Sequence, residues 1–303
     1  MIHYLKHEEI NKEKWDEVIR FSPNSLIYAY SWYLDIVAPH WDALVNDDFT
    51  SVMPLTRKKK WGIHYLYPPH FTQQLGVFSL NPITAEEVDN FIEAIPSKFR
   101  YIEILLNSSN KLNKFNNSIQ FNYNYELLLN CSYEEHYKGY SENTRRSLKK
   151  AEDYSLEVVM LEEAADVIRL FRNNRGKNIS NLKAEEYELF RSLCLASAKK
   201  KKIEISGVKI AEQLVAGLIL LRDNNRVIFI FSATNDIAKE KRAMFFLIDH
   251  FIRKNADSGV LLDFEGSNNE ALARFYKSFG AINKFYPKLK INRLPWPFKI
   301  FKQ

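Results

Sequence analysis

Asp263, Glu265 and Ser267 alternate along Asp263-Phe264-Glu265-Gly266-Ser267, immediately after the apolar run Val260-Leu261-Leu262. On a strand, alternate residues share a face, which sets the three polar groups together and turns Phe264 the other way. Carboxylates at the end of a buried strand are proton acceptors whose pKa is tuned by burial, so chemistry is expected here. The competing reading is structural, with Asp263 and Glu265 paired to Arg242, Arg253 or Arg274.

The elements that would position these residues run from Val227 to Gly280. Val227 to Phe231 is a short β-branched run that suits a strand buried on both faces. A helix capped by Asn235 or Asp236 follows, carries Met244, Leu247, Ile248, Phe251 and Ile252 on one face, and ends at Ser258-Gly259. Val260 to Leu262 begins the next strand. Asn268 or Asn269 caps a last helix, which Gly280 stops. Two parallel strands joined by a helix, with polar residues at the carboxyl end of the second, are the usual geometry of a ligand crevice.

At 303 residues, the chain is long for one core and suits two domains. An apolar content of 46%, with 21 Phe and only 9 Gly, describes a packed globule and excludes a disordered or repetitive chain. No run is long and apolar enough for a membrane span, and the N-terminal MIHYLKHEEINKEKW has no signal-peptide core, so a cytoplasmic location is expected. Cys131 and Cys194 have no metal-ligand spacing and read as reduced core residues. A net charge of +6 fits an anionic partner such as a phosphorylated ligand or RNA, without an extended DNA-binding surface. The sequence contains no P-loop, no G-x-S-x-G and no H-E-x-x-H, and its histidines are scattered, so no metal is expected.

Elsewhere the chain offers two further binding features. Ser141 caps a helix in which Arg145 and Lys149, and Arg146 and Lys150, stand four apart, a compact cationic patch able to hold phosphates. Thr72, Gln73 and Gln74 lie between apolar residues in a loop, where they either fix a backbone turn or face a ligand. Asn11 or the residues around it open a helix with Trp15, Val18 and Ile19 on one face, Ser31 caps another, and Thr84 to Glu87 forms a capping box. Lys58-Lys59-Lys60 is expected in a hairpin loop. The tail PWPFKIFKQ is an edge segment on the first domain or a contact with a membrane surface. The halves overlay at an offset of 160 residues, pairing Phe71 with Phe231, Asp89 with Asp249, Phe91 with Phe251, Ile92 with Ile252, Leu112 with Leu272 and Phe115 with Phe275. Two related domains are therefore expected, 1–130 and 131–303.

Three strands, helix, strand, helix, strand is the order of the GNAT acyltransferase fold. Two such domains in tandem, TRRSLKKAE opening the second, and DFEGS followed by ARFYKSFGA resemble the FemAB family and related acetyltransferase-like proteins. The expected class is thus α/β, with two tandem GNAT-like domains of which the first is degenerate. The resemblance implies acyl transfer to an amine, from aminoacyl-tRNA or from an acyl-CoA such as acetyl-CoA, with no tightly bound cofactor. It implies Glu265 or Asp263 as base, and Tyr276 or Lys277 as donor to the developing oxyanion. It further implies Arg145 and Arg146 on acceptor phosphates, and Thr72, Gln73, Gln74 and Ser267 along the substrate. The GNAT phosphate signature R/Q-x-x-G-x-G/A falls at AKEKRA, which has no glycine, leaving Lys241, Arg242 and the helix N-terminus as phosphate ligands. The acceptor implied is a large anionic amine-bearing molecule such as a cell-wall or nucleotide-linked precursor. The alternatives are an acetyl-CoA-dependent N-acetyltransferase acting on an amino sugar or small amine, and a non-catalytic GNAT-like binding module.

Overall fold

The structure is a computed structural model that describes residues 1–178, 183–266 and 268–295. It divides into two compact units: Met1 to Tyr123 with the described residues from Phe285 on, and Asn124 to Lys284.

The first unit runs β1 (Ile2–Leu5), α1 (Lys12–Phe21), α2 (Ser31–Val37), β2 (Asp42–Asn46), β3 (Ser51–Leu55), β4 (Arg57–Lys60), β5 (Ile63–Leu66), β6 (Phe78–Ser79), α3 (Ala85–Glu93) and β7 (Phe99–Leu105), and β8 (Ile119–Leu129) leads out of it. Asn11 caps α1 by accepting from the Lys14 N–H at 3.1 Å, and Trp15, Val18 and Ile19 are its buried face. Ser31 is the first residue of α2 rather than its cap, because Asp16 takes both its N–H (2.6 Å) and its hydroxyl (2.9 Å). Lys58 to Lys60 lie in strand β4 and not in a loop; the turn is made by Trp61 and Gly62, at φ 51° and 80°. β1, β2, β3 and β6 form an antiparallel sheet, while β4 pairs antiparallel with β5 and β5 parallel with β7.

The second unit continues with α4 (Tyr133–Gly139), α5 (Glu142–Glu152), β9 (Glu157–Met160), α6 (Ala164–Asn173), α7 (Ala184–Lys199), β10 (Ile203–Ile210), β11 (Gln213–Asp223), β12 (Arg226–Thr234), α8 (Asp236–Glu240), α9 (Ala243–Lys254), β13 (Val260–Asp263) and α10 (Glu270–Lys277). β14 (Ile282–Asn292) returns to the first unit, where it pairs antiparallel with β7. β9 to β12 form an antiparallel meander, β13 joins β12 in parallel, and β8 joins β13 antiparallel. Leu218, Leu220, Val227 and Phe229 of the sheet pack with Leu247, Ile248, Phe251 and Ile252 of α9 and Leu148 of α5 in one core.

Two expectations are corrected. The single helix after β12 is two helices, because Arg242 adopts φ 61° between α8 and α9 and lets α9 start on a new axis. The units divide at Tyr123/Asn124 rather than near residue 130, within β8, because its carboxyl end, Glu126 to Leu129, pairs with β13 of the second unit. The polar residues after it belong to α4, which Ser132 caps. The internal repeat is visible in side-chain burial: α3 buries Val88, Asp89, Phe91 and Ile92, and α9 buries Ile248, Asp249, Phe251 and Ile252 at the same spacing. The match stops after the helices, since Phe275 lies in α10 whereas Phe115 precedes a single 3-10 turn.

Candidate active site

β12 and β13 pair over only three positions, Arg226 with Leu261, Val227 with Leu262 and Ile228 with Asp263. β12 continues to Thr234 while β13 ends at Asp263, so beyond Ile228 the two part. On its other side, β12 shifts register against β11, where Ile219 and Leu220 face Phe231 and Phe229 and Ile230 is the extra residue of a bulge. Parallel strands separating at their carboxyl ends leave a wedge lined by main chain, where ligands bind in open α/β sheets.

The end of β13 is fixed by a buried ionic cluster. Asp263 and Glu126 face each other across the β13–β8 pair, and one nitrogen of Arg226 holds both, at 2.5 Å and 2.8 Å. Asn124 adds a bond to Glu126 at 3.3 Å. Asp263 is 1% exposed, and its carboxylate also accepts the Glu265 N–H at 2.9 Å. The strand alternation expected through this stretch breaks there. Glu265 takes φ 59°, a left-handed conformation that costs a side-chain-bearing residue about 1–2 kcal/mol, and its carbonyl accepts from the Tyr125 N–H at 3.3 Å. Asp263 is thus closed off from solvent and bonded to Arg226, while Glu265 is half-buried. The expected pairing to Arg242, Arg253 or Arg274 gives way, for Asp263, to Arg226.

α10 supplies the phenol and the ammonium. Asn269 caps it by accepting from the Ala271 and Leu272 N–H groups, at 3.0 Å and 3.2 Å. Tyr276 turns inward: its ring stacks on Phe264 at 4.9 Å and lies 6.0 Å from Phe229 and 6.2 Å from Tyr125. Burial, then the nearby Glu265 carboxylate, pushes its pKa up to about 12, with the Arg175 guanidinium acting against them. At neutral pH, the phenol is therefore a hydrogen-bond donor. Lys277 is exposed, with its ammonium 5.5 Å above the ring of Tyr125. Tyr125 thus touches both candidates, and Glu265 bears on Tyr276. Ser267 lies outside the described residues.

The cationic helix α5 is tied to α10. Ser278, just past α10, accepts the Ser141 N–H at 2.9 Å and the Thr144 hydroxyl at 3.0 Å through its carbonyl. Arg145 donates to the Lys138 carbonyl at 3.2 Å, Arg146 stands 3.9 Å from Glu142, and Lys149 and Lys150 are exposed. Lys241 lies 3.8 Å above the ring of Tyr154. Arg242 precedes α9 with no side-chain cap on the helix. In the first unit, Gln74 is 3% exposed, accepts the Ser108 N–H at 3.0 Å and donates to Gln73 at 2.7 Å. The Thr72 hydroxyl donates to the His70 carbonyl at 3.4 Å. For Gln74, these bonds match the turn-fixing alternative. Arg226, Glu126, Asn124, Tyr125 and Arg175 were not anticipated. The signal was present in Asn124 and Glu126, which with Gln120 and Asn122 form a polar face alternating with the apolar residues of the strand.

An antiparallel meander followed by a parallel β-α-β step with a wedge at its carboxyl end is the layout of an acyl-CoA N-acyltransferase fold. Residues 138–278 match the family model described as Acetyltransferase (GNAT) domain. The whole chain is similar in structure to FemX, with a TM-score of 0.68 and 10% identity over 99% of each chain. It is also similar to a conserved protein of unknown function from Bacteroides thetaiotaomicron, with a TM-score of 0.61 and 12% identity over 96% of this chain and 99% of that one. A tandem GNAT protein from the clavulanic acid biosynthesis pathway matches with a TM-score of 0.50 and 8% identity, over 97% of this chain and 99% of the other. These identities speak for the fold, which is two GNAT-like domains in tandem. No curated protein matches the sequence.

Proposed function

We propose that the protein is an acyltransferase moving an acyl or aminoacyl group to the amine of a large anionic acceptor, such as a cell-wall or nucleotide-linked precursor. The observation that carries this reading is the convergence of Glu265, Tyr276 and Lys277 around Tyr125 at the carboxyl end of β13, where β12 and β13 part. An acyl donor, aminoacyl-tRNA or acyl-CoA, supplies the activated carbonyl. The acceptor ammonium gives a proton to Glu265, and its freed lone pair forms the new C–N bond. The bond from the acyl carbon to the donor oxygen or sulfur then breaks, and the leaving atom takes a proton. Tyr276, protonated at neutral pH, donates to the developing oxyanion, with the Lys277 ammonium close by. Asp263 serves as a positioning residue that fixes the Glu265 main chain. Arg145 and Arg146, on the helix tied to α10, would hold acceptor phosphates; Thr72, Gln73 and Ser267 remain candidate substrate contacts.

Tyr276→Phe should lower turnover by about 10²-fold, the scale of one lost oxyanion donor. Because this phenol ionises only at about 12, the substitution should leave the shape of the pH–rate profile unchanged below that value. A profile that loses a limb in Tyr276→Phe would instead make the residue an acid or base.

A second reading, an acetyl-CoA-dependent N-acetyltransferase acting on an amino sugar or small amine, is favoured by one observation. α9 begins without a side-chain cap, and Lys241 and Arg242 flank its N-terminus, so the residues present fit a donor phosphate. Thermal unfolding with acetyl-CoA separates the readings, since a ligand at 100 times its dissociation constant stabilises by about 2.7 kcal/mol. A clear upward shift supports acetyl-CoA as donor. With no shift, transfer of a labelled amino acid from aminoacyl-tRNA to a uridine-diphosphate-linked peptide supports the first reading. If neither occurs, the non-catalytic module remains.

A further inference from the structure

The β4–β5 hairpin is more basic and more aromatic than an edge hairpin requires. Between Asp48 and Glu86 the sequence has no acidic residue. Arg57 is neutralised within the unit by Asp42 at 2.5 Å. Lys58, Lys59 and Lys60 are exposed and, among the described residues, form no ion pair. Alternation puts Lys58 and Lys60 on one face of the hairpin and Lys59 on the other. Lys58 stands 4.2 Å above the ring of Tyr67, and Lys60 stands 4.6 Å above that of Trp61. Trp61, at the turn, is 88% exposed, and Gly62 beside it has open space where a side chain would be. On the Lys59 side, His64 lies opposite Lys59 in register, and the next strand position brings in Phe99, whose ring is 5.1 Å from the Lys98 ammonium.

A tryptophan held in water at the tip of a hairpin is a costly arrangement for a soluble surface, and indole rings partition to the headgroup level of a bilayer. Lysines within a Debye length of an anionic leaflet are drawn to it. Single-stranded nucleic acid calls for a groove with cations along one track and several rings for successive bases. Here one ring projects from a convex tip, Lys58 to Gly62 are all exposed, and the cations are split between two faces, which fits a planar, soft anionic surface better. We propose that the Lys58–Gly62 tip docks on an anionic phospholipid surface, with Trp61 seated among the headgroups and Lys58, Lys59 and Lys60 drawn to their phosphates. This site lies within the first unit and does not depend on the reaction assigned to the second.

The test is co-sedimentation of the purified protein with vesicles of phosphatidylcholine alone and of phosphatidylcholine mixed with phosphatidylglycerol. Binding to the mixed vesicles only, weakened by salt, is expected. Replacing Lys58, Lys59 and Lys60 together by Gln should lower partitioning about a hundredfold, on the scale of roughly fivefold per lysine. Trp61→Ala should weaken it further and abolish the quenching that brominated lipid produces in the wild type. Unchanged thermal unfolding of both variants shows that folding is intact. Equal binding to both vesicle types, binding that survives the lysine replacement, or lysine-dependent binding to single-stranded RNA with none to vesicles would overturn the proposal.

Discussion

Arg226→Met should destabilise the second unit by about 3–5 kcal/mol, the cost of leaving a buried charge without its partner. Glu126 and Asp263 face each other across β8 and β13, and like charges directly opposite on a sheet repel. Arg226 makes the pair tolerable by bonding both from the neighbouring strand. For a unit of this size, the loss should appear as a fall in Tm of roughly 6–20 °C. Adding Glu126→Gln and Asp263→Asn to Arg226→Met removes the two stranded charges and should restore most of the lost stability. A triple variant no more stable than the single one would show that Arg226 acts through packing, and the electrostatic account would fail. Arg226→Met should also reduce activity, because Asp263 holds the N–H of Glu265.

Much of the fold was legible because its signals are local. Asn11, Asn235 and Asn269 each precede a helix and cap it, and the meander β10–β11–β12 follows runs of β-branched and apolar residues. The repeat was legible for the same reason: a buried Asp one residue after an apolar position on a helix face recurs in α3 and α9. In α3 it accepts the Asn113 and Lys114 N–H groups, and in α9 the hydroxyls of Tyr133 and Tyr140. Where sequence reading failed, the deciding partner was distant. Ser31 looks like a cap until Asp16 claims it, and three lysines look like a loop until Trp61 and Gly62 supply the turn.

The site shows the same limit. DFEGS and ARFYKSFGA pointed to the strand end and helix on which the proposed site rests, but strand alternation could not foresee that Glu265 adopts a left-handed backbone. That bend follows from the Asp263 carboxylate capturing the Glu265 N–H, and Asp263 is held in turn by Arg226, an arginine 37 residues earlier. The inward turn of Tyr276 was equally unreadable. Its ring neighbours Phe264, Phe229 and Tyr125 come from three different strands or strand ends, and only the assembled sheet brings them together.

Glu265→Gln should reduce turnover by about 10²–10⁴-fold, the contribution of a positioned general base, while leaving Tm unchanged. Loss of activity alone does not separate chemistry from architecture, but the backbone at this position does. With φ at 59°, Glu265 occupies a conformation that glycine adopts without strain. Glu265→Gly should relieve about 1–2 kcal/mol of strain, offset by about 0.5–1 kcal/mol of extra chain entropy in the unfolded state, so stability should hold or rise slightly. A residue that folding would exchange for glycine without loss is retained for its side chain. If Glu265→Gly unfolds the unit while Glu265→Gln keeps full turnover, the carboxylate is a structural acceptor, and the base must be sought elsewhere along the wedge between β12 and β13.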